Sequence, residues 1–173
     1  MTPKAEIMYN HDYAQRLYRG AGTFTEAWQD LIYRGEVFEQ VFDQAIQPIL
    51  RALPEVTGYP WSEDHATLPI YLIVDGESFA APLTLAVTTD VEASLFELVR
   101  LLVRTNLPTG FPSEQRREQT LHAVAAAVVE RAGLDLTEAI AAADLDLRER
   151  FGADLLPLRW DLRSQPAKHY LNA

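Results

Sequence analysis

The sequence predicts an α+β fold, a helix-rich single domain with a small β-sheet, and three observations carry the prediction. Apolar residues recur at helical spacing over residues 36–53 and again over 91–107. Two short β-prone runs, 70–74 and 83–87, lie between those stretches, and Asp75-Gly76 between the runs is a turn signal. The chain has 173 residues, a length that buries roughly 70% of the unfolded surface and supports one core without disulfides or metal. One domain over 1–173 is expected, with its core at about 24–152 and 153–173 as a tail packed on the body.

Taken in order, residues 2–18 open with Thr-Pro, a cap followed by proline at a first helical position, and stop at Gly20-Ala21-Gly22, so a helix is expected. From 36 to 53, Phe38, Val41, Phe42, Ala45, Ile49 and Leu53 form an apolar face while Glu39, Asp43 and Gln47 turn away. Pro48 inside that run should kink or break the helix, because it lacks a backbone donor and crowds the preceding turn. Residues 52–69 are rich in proline and polar side chains and read as an ordered loop or a lid. The strands at 70–74 and 83–87 follow, joined either as a hairpin or by a wider connection.

Thr89 and Glu92 have the spacing of a capping box at the start of the next helix, which ends before Pro108. Ser113 caps another helix reaching about Arg131 and closed by Gly133. Residues 136–152 supply one or two further helical turns, ending at Gly152. The remainder is irregular, with Leu155, Leu156, Leu158 and Trp160 expected to pack back onto the body.

Composition excludes whole classes of function. Asp plus Glu number 25 against 15 Lys plus Arg, for a net charge of -10. That charge repels phosphate backbones and anionic headgroups, so neither nucleic acid nor a membrane surface is an expected partner. No stretch approaches the ~18 apolar residues of a bilayer span. Cysteine is absent, which removes thiol catalysis, disulfides and cysteine-held metals. The first residues carry charge throughout and have no apolar core of a signal peptide, so a soluble, cytoplasmic protein is expected.

One feature of the helix at 91–107 asks for an explanation. Its only interior acid, Glu97, stands between Phe96 and Leu98. On a helix Glu97, Arg100 and Arg104 share a stripe with Ala93, opposite Leu95, Leu98, Val99 and Leu102. A solvated i, i+3 pair of Glu97 with Arg100 is the plain explanation, worth ~0.2 to 0.5 kcal/mol.

The order of elements offers another. A long amphipathic helix, two strands, an apolar helix holding Phe96-Glu97-Leu98-Val99-Arg100 and a further helix resemble the zincin metallopeptidases. Their helix carries His-Glu-x-x-His, two histidines holding zinc and the glutamate acting as general base on the metal-bound water. Phe96 and Arg100 stand here in the two histidine positions and Glu97 in that of the base. In branches of the family that place the third ligand on the following helix, it lies about two dozen residues further on, near His122. The resemblance covers about residues 36–131 and implies a zincin-like fold with a candidate cleft at Phe96, Glu97, Arg100 and His122. Phenylalanine offers no lone pair and a guanidinium repels a dication, so no metal, no cofactor and no catalytic residue are expected. A lone histidine in an apolar helical run is also, as a rule, a core or boundary residue.

His11, His65 and His169 have no histidine at i+3 or i+4, and no nucleotide-binding glycine loop or nucleophile elbow occurs. Three functional classes follow. The first is a catalytically inactive zincin-like domain that binds or regulates a protein or peptide partner. The second is an atypical, metal-independent hydrolase assembling Glu97 with Arg100, His65 and His122. The third is an assembly protein using its alanine-rich helices, with the chain a monomer or a small homo-oligomer.

Overall fold

A four-stranded mixed sheet lies against a set of helices that includes one of 34 residues. The structure is a computed structural model and describes residues 1–108, 110–152, 155 and 158–172. Its α+β class is the one the sequence predicts. The elements are β1 (Lys4–Met8), α1 (His11–Leu17), α2 (Phe24–Thr57), β2 (Thr67–Ile73), β3 (Phe79–Ala80), β4 (Leu83–Ala86), α3 (Val91–Asn106), α4 (Glu114–Arg131), α5 (Thr137–Phe151) and α6 (Ala167–Leu171). A short 3-10 turn spans Glu63–His65.

The expected helix at 2–18 is corrected to a strand and a short helix. Ala5 and Ile7 pack on the core while Lys4 and Met8 at the ends are exposed, so the stretch gains more as a strand beside β2 than as a first helical turn. The cap is Asn10, whose Oδ1 accepts from Tyr13 N–H at 3.0 Å.

Helix α2 begins twelve residues before the expected start at 36, with Thr23 Oγ1 accepting from Glu26 N–H. Ala27, Leu31 and Gly35 extend the buried face of Phe38 and Phe42 towards that start. Pro48 does not end the helix, and Pro54 lies within it too. Proline at 54 cannot donate to the Leu50 carbonyl one turn earlier. The Trp61 indole N–H does so instead, at 3.0 Å. Gly58 closes the helix in the left-handed conformation, φ 79°, with Pro166 Cβ 3.0 Å from where a Cβ would stand.

The sheet order is β1-β2-β4-β3. Strands β2 and β4 are parallel neighbours, with Tyr71 opposite Thr84, so of the two connections the sequence left open the wider one is realised. The hairpin is instead β3 with β4, Ala80 opposite Leu83. Asp75-Gly76 makes the turn that carries the chain to the outer edge, and Gly76 lies where a Cβ would meet the Leu17 carbonyl at 2.8 Å.

Helix α3 is capped by Asp90, whose Oδ1 accepts from Ala93 N–H at 3.0 Å. This replaces the expected Thr89–Glu92 box, because the helix starts one residue later. Ser113 caps α4 as predicted. Helix α5 runs for 15 residues, longer than one or two turns. In the tail α6 replaces an irregular chain, and Trp160 stacks on Tyr170 at 5.1 Å and packs against the core. Leu155 and Leu158 are half-buried, and Leu156 lies outside the described residues.

The core extends past 24–152 at both ends, taking in Ala14 and Ala167. At its base the carboxyl ends of α2 and α3 are tied together. The Thr57 hydroxyl lies 2.6 Å from Asn106 Oδ1, and Asn106 Nδ2 donates to the Tyr59 carbonyl at 3.1 Å. Among the described residues no helix is long and apolar enough to cross a membrane.

Candidate functional site

Helix α3 is buried on more than a stripe. Leu95, Leu98, Val99 and Leu102 face the core as expected, and Ser94, Phe96, Leu101 and Val103 are buried as well. Glu97, Arg100 and Arg104 line a groove of about 630 Å³ whose other side includes Phe79 and Ala80 of the edge strand, Ala86 of β4 and Glu118 of α4.

Arg100 is the centre of the groove's electrostatics. Its Nη1 donates to Glu97 Oε2 at 3.0 Å, and its Nη2 donates to Glu118 Oε2 at 2.5 Å. The sequence pairs Arg100 with Glu97 alone; the structure adds Glu118 from the next helix, and this is the better buried partner. Side-chain exposure is 13% for Glu118 against 35% for Glu97. Glu118 also accepts from Arg117 Nε at 3.1 Å, and Arg117 lies 3.9 Å from Glu114, which Arg150 engages too. Three guanidiniums and three carboxylates are thereby consumed by one another.

Burial pushes the Glu97 carboxyl up from its usual range, with Arg100 opposing the shift and Glu118 adding to it. The Glu97 carboxylate is engaged by the Arg100 guanidinium, which opposes the shift that desolvation produces.

Phe96 and His122 meet on the inner side. Phe96 is 2% exposed and its ring lies edge-on to the His122 imidazole, centroids 5.7 Å apart. His122 lines a different cavity, about 550 Å³, formed by α4 and α5, so the four residues are adjacent but do not open onto one groove. The His122 Nε2 is 3.9 Å from Asp144, while its Nδ1 and the Nε of Arg100 are buried without a hydrogen-bond partner among the described residues. Burial lowers the imidazole below its ordinary value; Arg100 adds to this and Asp144 opposes it.

His65 is not part of this arrangement. It lies in the 3-10 turn, hydrogen-bonded to Ser62 at 3.0 Å, and lines the adjoining cleft, away from Glu97 and Arg100. The constellation of Glu97, Arg100, His65 and His122 is therefore not brought together at one point. Among the described residues no three His, Asp or Glu side chains converge in a way that could hold a metal ion.

Sequence reasoning missed Glu118. It sits one helical turn before His122 on α4, and only the packing of α4 across α3 brings it to Arg100. Neither a family model, nor a curated protein, nor a solved structure matches the chain.

Proposed function

We propose that this chain is a catalytically inactive, zincin-like domain whose groove beside α3 serves binding or regulation of a protein or peptide partner, with the cytoplasm as its compartment. One observation carries the reading. His122, at the third-ligand distance along the chain, packs against Phe96, at the first-ligand position, one turn from Arg100 at the second. Three positions separated in sequence as the zinc ligands would be are thus neighbours in space.

The residues present do not fit the metal. Phe96 has no donor atom, and Arg100 holds a fixed positive charge paired with Glu97 and Glu118. Arg100, at the second-ligand position along the chain, pairs with the two half-buried carboxylates of Glu97 and Glu118. The long helix, strands, motif helix and following helix occur in the order on which the resemblance rests. The alanine-rich stretches of α4 and α5 contribute Ala125, Ala127, Ala139 and Ala143 to the chain's own core or its margin, which favours the binding reading over helix-mediated assembly.

Titration with zinc tests the proposal. Replacing Phe96→His together with Arg100→His should create measurable zinc affinity that the parent lacks, because two imidazoles one turn apart would face His122. Adding His122→Ala to the double variant should weaken that affinity about 10- to 100-fold. A double variant that folds and binds zinc no better than the parent would remove the family reading.

A further inference from the structure

The cleft that holds His65 adjoins the groove beside α3, sharing Ala80, Arg104 and Arg117 with it, and its chemistry does not depend on the family reading. It is about 810 Å³ in volume, within the roughly 300 to 1,000 Å³ of small-molecule sites. Its walls are mainly apolar, drawn from Leu68 and Pro69 of β2, Leu83 of β4 and Leu107 after α3. Sites of this kind combine an apolar body with a few placed polar groups that fix the orientation of a ligand. Two guanidiniums line it, those of Arg104 and Arg117. Arg117 is already engaged by Glu118 and Glu114. Arg104 has no hydrogen-bond or ion-pair partner among the described residues. It lies in the last turn of α3, where its charge suits the helix dipole while all its donors stay free.

We infer that this cleft binds a small monocarboxylate with an apolar body, the aliphatic or aromatic part seated against Leu68, Leu83 and Leu107 and the carboxylate on Arg104. A guanidinium pairs with a carboxylate through two parallel N–H donors, which fixes direction as well as charge. The first turn of α4 also opens onto the cleft, and its dipole favours an anion there; its one acid, Glu114, is turned to Arg117 and Arg150. The net charge of -10 repels polyanions, so a single carboxylate matches Arg104, the guanidinium lining the cleft that has no partner among the described residues.

Calorimetric titration with decanoate and with decan-1-ol, both below their aggregation limits, tests the assignment. The parent should bind decanoate about tenfold more tightly than the alcohol, the worth of one charge-assisted contact at a partly exposed site. Arg104→Gln should abolish the difference and leave the alcohol's affinity unchanged. Arg104 is exposed, so the variant is expected to fold as the parent does. Amide resonances of Thr67, Leu68 and residues 104–107 should shift on addition of decanoate. Equal affinity for acid and alcohol, a preference that survives Arg104→Gln, or shifts confined to other parts of the chain would each overturn the proposal.

Discussion

Arg100 decides what the groove can do, because it has two carboxylate partners rather than the one visible within its own helix. Glu97 is the more exposed partner and its carboxyl is raised by burial, so its charged form is already disfavoured where it sits. Glu97→Gln leaves Arg100 paired with Glu118 and should cost no more than the ~0 to 1 kcal/mol of a surface pair. Glu118→Gln removes the charge that Arg100 and Arg117 share and leaves an acceptor oxygen for only one of them. It should cost ~1.5 to 3 kcal/mol, the range for hydrogen bonds to charged groups. Urea unfolding of the two variants beside the parent is the measurement, and equal losses would refute this ranking.

Among the elements, α2 shows how a helix survives two prolines. Each deletes one backbone donor and leaves a carbonyl four residues earlier without its helical partner. For Pro48 that carbonyl belongs to Gln44, an exposed residue whose carbonyl water can reach. For Pro54 it belongs to Leu50, which is fully buried, and the Trp61 indole supplies the missing donor. Trp61→Phe keeps an aromatic ring but removes that donor. A buried carbonyl left unpaired costs ~1 to 3 kcal/mol, and thermal or urea unfolding should register a loss of that size. A silent substitution would mean that Leu50 O finds another partner. The indole donor stands eleven positions after Leu50, beyond any local reading, which sees a proline as a break.

Across the whole molecule, α3 is held on several sides, by α2, the sheet, α4 and α5. His122 reports on that burial because its imidazole is kept below its ordinary value of 6.5. A histidine with a lowered native pKa takes up its proton more readily when unfolded. Stability is therefore full above about pH 6.5, the unfolded value, and falls as pH drops from there through the lowered native value. Glu97 acts in the opposite sense, its raised native pKa removing stability as pH rises from 4.5 through the native value. Unfolding free energies measured from pH 7.5 to 5.5 should decline for the parent, and His122→Gln should flatten the decline. An unchanged slope would show that the imidazole is no better desolvated than in the unfolded chain.

The sequence by itself determined the fold class, the core face of α3, the cap at Ser113 and the run of apolar residues that makes most of α2. Each of these rests on periodicity or on contacts within a few residues, which a linear chain displays directly. The N-terminal strand was illegible because its five residues become a strand only by pairing with β2, more than fifty residues away. The parallel pairing of β2 with β4 was open for the same reason, since the turn at Asp75-Gly76 is compatible with either path. Glu118, the separation of His122 from the groove of Glu97, and the unpaired Arg104 at the rim of an apolar cleft were decided by tertiary structure alone. Pairing and burial between distant segments depend on how helices and strands are laid across one another, and side-chain spacing along one element carries no record of its neighbour.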